Sequence, residues 1–236
     1  MQHRYVGDIG DFCKYALLKN ICGNEICLGV NWYLNEQEEE NNDGEITDYS
    51  QYEVFDPPLY LLLKSILNSK QRDVREIKNR GILPINTRFY NKPLPEDDPF
   101  KRDEWFDESL STLQDCEIIF CDPDNGLEVA SCSKYHPQKA VKYVFFDEVK
   151  ELYRKNKSLI VYQHPTRKGQ HVEQIKERKK QLEKVLKIDS DQQQIKSVYS
   201  SSGTFFLIVQ QKIHKKIIDN KLSIIKNEFQ GLLKVV

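Results

Sequence analysis

Long apolar runs are missing: no stretch of the 236 residues approaches the roughly 18 that a membrane helix needs. A helical membrane protein is not expected. The polar opening Met1-Gln2-His3-Arg4-Tyr5-Val6-Gly7-Asp8 lacks an apolar signal segment, which makes the cytoplasm the expected location. Paired cysteine spacings are missing too. The six cysteines contain no CxxC motif, so they read as small hydrophobes rather than disulfides or zinc ligands. Basic residues are absent from Glu36 to Asp56, a segment with nine acids. An exposed acidic loop is expected over about 35–55. No internal repeat or linker divides the chain, so a single α/β domain over 1–236 is expected, with a helical insertion at about 57–113.

What is present is the composition of an ordinary globular protein, 30% charged and 39% hydrophobic, long enough to bury a substantial core. The net charge of −1 conceals an uneven distribution. Residues 167–187 (RKGQHVEQIKERKKQLEKVLK) and 212–234 are lysine-rich. That pattern suits a nucleic-acid footprint or a solvated helix face. Asp8-Ile9-Gly10-Asp11 offers a cap to a helix over 12–21. Further helices are predicted over 59–67, 71–79, 105–113 and 148–156, in the basic segment to 187, and over 215–233. Strand-forming runs cover 26–34, 83–90, 117–122 and 158–162. Ser200-Ser201-Ser202-Gly203 joins strands 195–199 and 204–209 into an antiparallel hairpin. Residues 142–146 read as a short strand or a helix start. Strands alternating with helices and closing on a hairpin predict an α/β protein with a mostly parallel sheet.

The most informative stretch is Glu117-Ile118-Ile119-Phe120-Cys121-Asp122-Pro123-Asp124-Asn125-Gly126-Leu127-Glu128. A short apolar run stopped by proline suits a strand buried on both faces. Ligands of open α/β sheets bind beyond the carboxyl ends of the strands. Asp122, Asp124, Asn125 and Glu128 therefore project where chemistry is usually done. The same residues also make a good structural turn, with Asn125-Gly126 supplying positive φ. His164, after the strand at 158–162, reaches the same edge.

Arg4-Tyr5, Gly7-Asp8-Ile9-Gly10-Asp11-Phe12, Lys14-Tyr15 and Leu17-Leu18, with Asp122 to Glu128 and Tyr162-Gln163-His164, resemble the motifs of a family of bacterial proteins of unassigned activity. More distantly, the chain is similar to bacterial adenine-N6 methyltransferases acting on large-subunit ribosomal RNA. Those begin with a Gly-Asn-x-x-Asp-x-x-Lys-His helix start, follow a central strand with Asp-Pro-Pro-Tyr, and carry Ser-Gly in a late hairpin. The corresponding features here are Asp11 and Lys14-Tyr15, Asp122-Pro123-Asp124-Asn125, and Ser202-Gly203. The resemblance runs through most of the chain in order. It implies a Rossmann-like, methyltransferase-type fold, S-adenosylmethionine as cofactor and a nucleic-acid base as substrate. Asp122 would accept from the base amine and Asn125 would orient it, while Asp11, Lys14, Asn31 and Trp32 would line the cofactor side. Two departures stand out. Residues 31–36 read Asn-Trp-Tyr-Leu-Asn-Glu where the relatives have a glycine-rich turn. Asp124 and Asn125 replace the second proline and the aromatic, so a stacking ring must come from Trp32, Tyr162 or Phe146, near predicted strand ends.

Three readings follow. The first is a base-modifying methyltransferase with Asp122, Asp124, Asn125 and His164 at its catalytic edge. The second is a metal-dependent nuclease or phosphoesterase, with Mg²⁺ held by Asp122, Asp124, Glu128 and His164. The third is a non-catalytic nucleic-acid or protein binder on the same scaffold, which would not need those acids and the histidine together.

Overall fold

The computed structural model describes residues 1–36, 44–96, 98–136, 138–166 and 169–236. Residues 37–43, in the acidic segment, and Arg167-Lys168, at the start of the basic one, lie outside the described residues.

Helix α1 (Ile9–Cys22) starts where Asp8 accepts the Asp11 amide at 2.8 Å and stops at Gly23, whose φ is +53°. It is apolar nearly all round, and such a helix is buried. Phe12, Cys13, Tyr15, Ala16, Leu17, Leu18 and Ile21 are all enclosed. Strand β1 (Leu28–Asn31) is shorter than the sequence predicts. Asn31 Oδ1 takes the Tyr33 amide at 3.2 Å, and Tyr33 adopts φ +46°, which turns the chain out of the sheet. Helices α2 (Pro57–Ser69) and α3 (Arg75–Asn79) lead to β2 (Arg88–Tyr90), and α4 (Arg102–Thr112) leads to the central strand β3 (Ile118–Cys121). A small parallel pair, β4 (Gly126–Leu127) and β5 (Tyr143–Val144), follows, then α5 (Phe146–Arg154) and β6 (Ser158–Gln163). Next come α6 (His171–Leu186), β7 (Ile195–Ser200), β8 (Phe205–Val209), α7 (Lys212–Glu228) and β9 (Leu233–Val235).

Seven strands form one sheet in the order β2-β1-β3-β6-β8-β7-β9. The first three pairings are parallel and the last three antiparallel, so β7 again runs with β6 and only β8 and β9 oppose the rest. This is a Rossmann-like, mostly parallel α/β sheet carrying the expected hairpin. Alternate residues of β3 serve opposite faces. Ile118 and Phe120 join the core with α1, α2 and α7, whereas Ile119 and Cys121 join the core with α4, α5 and α6.

Two further stretches depart from the sequence reading. The final helix ends at Glu228 rather than continuing to 233; Gly231 at φ +95° breaks it, and Leu233–Val235 pair with β7 instead. The described part of the acidic segment is partly packed: Tyr49 is fully buried against Phe12 and donates to the Gly7 carbonyl at 2.9 Å, and a 3-10 helix runs Ser50–Phe55. Its aromatics draw it onto the core despite its charge. No helix among the described residues is long and apolar enough to cross a membrane.

Candidate functional site

Strand order reverses between β1, whose sequence neighbour β2 lies on one side, and β3 on the other. Crevices at such reversals, beyond the carboxyl ends of the strands, are where α/β sheets bind ligands. Here that edge opens into a cleft of about 260 Å³. Its walls include Asp8, Asp11 and Lys14 from the start of α1, Asp122 to Asn125 from the end of β3, Tyr162 and His164 from the end of β6, and Ser202 and Thr204 from the hairpin turn. Six of the expected site residues, Asp122, Asp124, Asn125, His164, Asp11 and Lys14, therefore meet in one place.

Lys14 sits at the centre, 3% exposed, donating to Asp11 Oδ1 at 2.8 Å and Asp122 Oδ2 at 2.7 Å. Burial alone would lower its pKa, and the two carboxylates overcome that and hold the ammonium above its usual value. Asp11 is further fixed by the Gly7 amide and the Tyr15 hydroxyl, both 3.1 Å from Oδ2. Asp122 is tied to the sheet by its amide, which donates to the Asn31 carbonyl at 3.0 Å. Its side chain is 2% exposed, and among the described residues no donor reaches Oδ1. One ammonium between two carboxylates leaves a net negative charge beside an unsaturated acceptor.

Asp124 serves a different purpose. Its Oδ2 accepts from Gln2 and Asn35 side-chain amides, each at 2.8 Å, and its Oδ1 lies 2.8 Å from the Met1 amino group. Burial would raise this carboxyl, but the Met1 amino group and the amides outweigh it and hold it below its usual value. Asp124 thus clamps residues 1–2 and 35 across the ends of β1 and β3. The Met1 amino group also donates to the Asp122 carbonyl at 2.7 Å.

Asn125 is aimed by its backbone: its amide donates to the Lys142 carbonyl at 2.8 Å, and its carbonyl accepts from the His164 amide at 3.1 Å and from Gln163 Nε2 at 2.8 Å. Gln163 Oε1 accepts the Leu127 amide at 2.9 Å, so one buried amide side chain braces the whole turn. Gly126 has to be glycine at φ +109°, since a Cβ there would lie 2.4 Å from the Gln163 amide carbon. Arg178 of α6 adds a second brace, donating to the carbonyls of Glu128 at 2.9 Å and Leu127 at 3.2 Å.

Glu128 turns away from the cleft; its Oε1 takes the Phe146 amide at 2.6 Å and caps α5. With Asp122 on Lys14, Asp124 on its amides and Glu128 on a helix end, the metal reading loses its ligands. No three His, Cys, Asp or Glu side chains among the described residues are grouped to hold an ion.

On the cofactor side, Asn31 and Trp32 do not line the cleft. Asn31 is a structural turn residue, and Trp32 is fully buried, donating to Asn91 at 2.9 Å and stacked on Phe89. Tyr33 beside it is also fully buried, its hydroxyl donating to Glu148 at 3.2 Å. Where a glycine-rich turn would leave backbone open to a ligand, two large aromatics fill the volume. The Met1 carbonyl accepts the Asn35 amide at 2.9 Å across the same exit. These residues do not fit an S-adenosylmethionine molecule lying against the end of β1. Of the three candidate stacking rings, Tyr162 alone lines the cleft; Phe146, the first residue of α5, is half-buried against the core.

Asp8 is a site residue that sequence reasoning took only as a helix cap. It lines the cleft half-buried, and burial followed by the neighbouring Asp11 carboxylate pushes its pKa up to about 7. Asp8, Asp122 and Asp124 all act on Tyr162, whose hydroxyl is raised well above its usual value by burial first and then by these acids. The motifs quoted above contain Asp8 and Gln163 without marking these roles, and Thr204 lies outside them; only the folded arrangement brings the three to the cleft and its turn.

No protein family, curated protein or solved structure matches the chain. Its class therefore rests on geometry: a Rossmann-like α/β protein with an acid-lined cleft at the reversal of its strand order.

Proposed function

We propose that the protein is a methyltransferase-like protein that receives a nucleic-acid base by its exocyclic amine, adenine before other bases. The observation that carries this reading is the Asp122 carboxyl at the cleft, held through Oδ2 by Lys14 with no donor to Oδ1 among the described residues. Burial raises the Asp122 carboxyl above its usual value against the opposing pull of Lys14 and the Met1 amino group. In its ionised form it is an acceptor only, so it selects a donor such as an amine over a carbonyl. Tyr162 supplies an aromatic wall and Asn125 a second polar contact. Basic residues outnumber acids on α6 by five to three, which favours a polyanionic partner.

Methyl transfer to the amine is the reaction the motif order suggests. The filled exit of β1 specifically favours a second reading, a base-binding protein on this scaffold that performs no transfer. No reaction step is assigned to S-adenosylmethionine on the geometry described above.

Calorimetric titration with adenosine, inosine and S-adenosylmethionine separates these readings. Adenosine is expected to bind at least about tenfold more tightly than inosine, which presents a carbonyl in place of the amine. Asp122→Ala is expected to erase the difference while circular dichroism stays native. Equal binding of both nucleosides would refute the amine assignment. Measurable S-adenosylmethionine binding would favour the enzyme, and its absence with adenosine binding intact would favour the binder.

A further inference from the structure

The opposite edge of the sheet, at the amino ends of β1 and β3, gathers three of the six cysteines. Cys27 immediately precedes β1, and its Sγ lies 3.5 Å from Sγ of Cys116, two residues before β3. Both thiols are free. The backbone enforces their approach. The Cys27 carbonyl accepts two amides, those of Glu117 at 2.9 Å and Ile118 at 3.3 Å, which brings Cys116 alongside β1. Gly29 makes room for it, because a Cβ there would stand 3.1 Å from the Cys116 sulfur. Cys27 is half-buried and open to small reagents, whereas Cys116 is enclosed.

We propose that Cys27 and Cys116 are a reversible disulfide pair that a peroxide closes. The 3.5 Å between the sulfurs has to close to the roughly 2.05 Å of a disulfide. The accessible Cys27 sulfur attacks one peroxide oxygen; an S–O bond forms, the O–O bond breaks, and the departing hydroxide takes up the proton given up by the Cys27 thiol and leaves as water, giving a sulfenic acid. Cys116 sulfur then attacks Cys27 sulfur; the S–S bond forms, the S–O bond breaks, and the Cys116 proton leaves with the hydroxyl as a second water. Two thiols are oxidised and one peroxide is reduced. Burial, with the Cys27 contact next, pushes Cys116 up to about 12, so it serves as the resolving thiol rather than the attacking one. Cys22 lies near Cys27 but is fully buried at the end of α1.

Reduced wild-type protein is treated with hydrogen peroxide and, in parallel, with diamide; free thiols are then alkylated in denaturant, and unreduced digests are read by mass spectrometry. The expected result is a cross-linked peptide joining Cys27 to Cys116, reversed by dithiothreitol and absent from both Cys27→Ser and Cys116→Ser. Six alkylated thiols after both oxidants would overturn the proposal. So would a link from Cys22 to Cys27, or a Cys27 sulfinic acid with Cys116 still free.

Discussion

The Arg102–Glu148 pair and the Lys14 cluster are both buried and ionic, and both join distant parts of the chain, yet they are completed differently. Arg102 Nε and Nη2 donate to Glu148 at 2.7 and 3.1 Å, Nη1 donates to the Ala140 carbonyl, and Nη2 also donates to the Tyr143 carbonyl. Glu148 also takes the Phe145 amide at 3.0 Å and the Tyr33 hydroxyl. That network is neutral and saturated, and it lies outside the cleft. The Lys14 cluster carries one cation for two carboxylates and leaves Asp122 Oδ1 open beside the cleft. Under the proposed function the Arg102–Glu148 network holds the fold, and the Lys14 cluster, with its open acceptor, receives the ligand. Burial alone does not distinguish them.

Breaking each network tests that distinction. Arg102→Met leaves Glu148 charged, buried and without its partner, a change expected to cost about 3–5 kcal/mol in denaturant unfolding. Adenosine affinity of the folded variant should stay within about threefold of wild type; a larger loss would collapse the contrast. Lys14→Met strands Asp11 and Asp122 together. The expected cost is about 3 kcal/mol at pH 7, with nucleoside binding lost. Burial already raises the Asp122 carboxyl and Lys14 opposes this, so without the ammonium it binds its proton still more tightly folded than unfolded, and this variant should recover stability as pH falls towards 5. A variant equally unstable at pH 5 and 7 would mean that packing, not charge, sets the effect.

Gly126→Ala sharpens the comparison from the backbone side. The new methyl group meets the Gln163 amide at a positive φ, for an expected cost of about 1–3 kcal/mol. Because Gln163 braces Asn125, adenosine binding should weaken as well. Adding Gln163→Ala relieves the collision, so the double variant should be more stable than the sum of the single losses. Strict additivity in urea melts would disprove the brace.

How much of this was legible in the sequence depends on how local each cause is. The β3 turn declared itself because an apolar run, a proline and an Asn-Gly pair sit side by side. α1 was legible through Asp8 and Gly23, and the hairpin through its serine-glycine turn. The edge strand β9 was hidden, since Leu233–Val235 continue a helical-looking run and become a strand only because β7 offers a free edge. Site roles were less legible than site positions. Asp124 and Glu128 stand where the motif puts them, but partners from Gln2, Asn35 and Phe146, up to 122 positions away, convert them to structural uses. Trp32 looked like a ligand-facing ring, and Asn91 and Phe89 make it core.

Asp8 supplies the smallest effect and the finest test of the contrast, because it is an acid of the cleft whose carboxyl takes one donor among the described residues, the Asp11 amide, on Oδ1. Its folded pKa of about 7 lies above the usual 3.8, so the folded protein holds this proton more tightly than the unfolded chain. The resulting stabilisation is complete below about pH 4 and fades as pH rises through about 7. Partial exposure screens the effect to on the order of 2 kcal/mol. Asp8→Asn keeps the oxygen that caps α1 and removes the titration, so its stability should fall less than wild type's between pH 4 and 7. Parallel pH profiles would assign the shift to some other group. The same substitution removes a negative charge from the cleft, so amine binding at pH 8, where Asp8 is ionised, should weaken more than at pH 6. A saturated structural acid such as Glu148 has no reason to impose that dependence on a ligand.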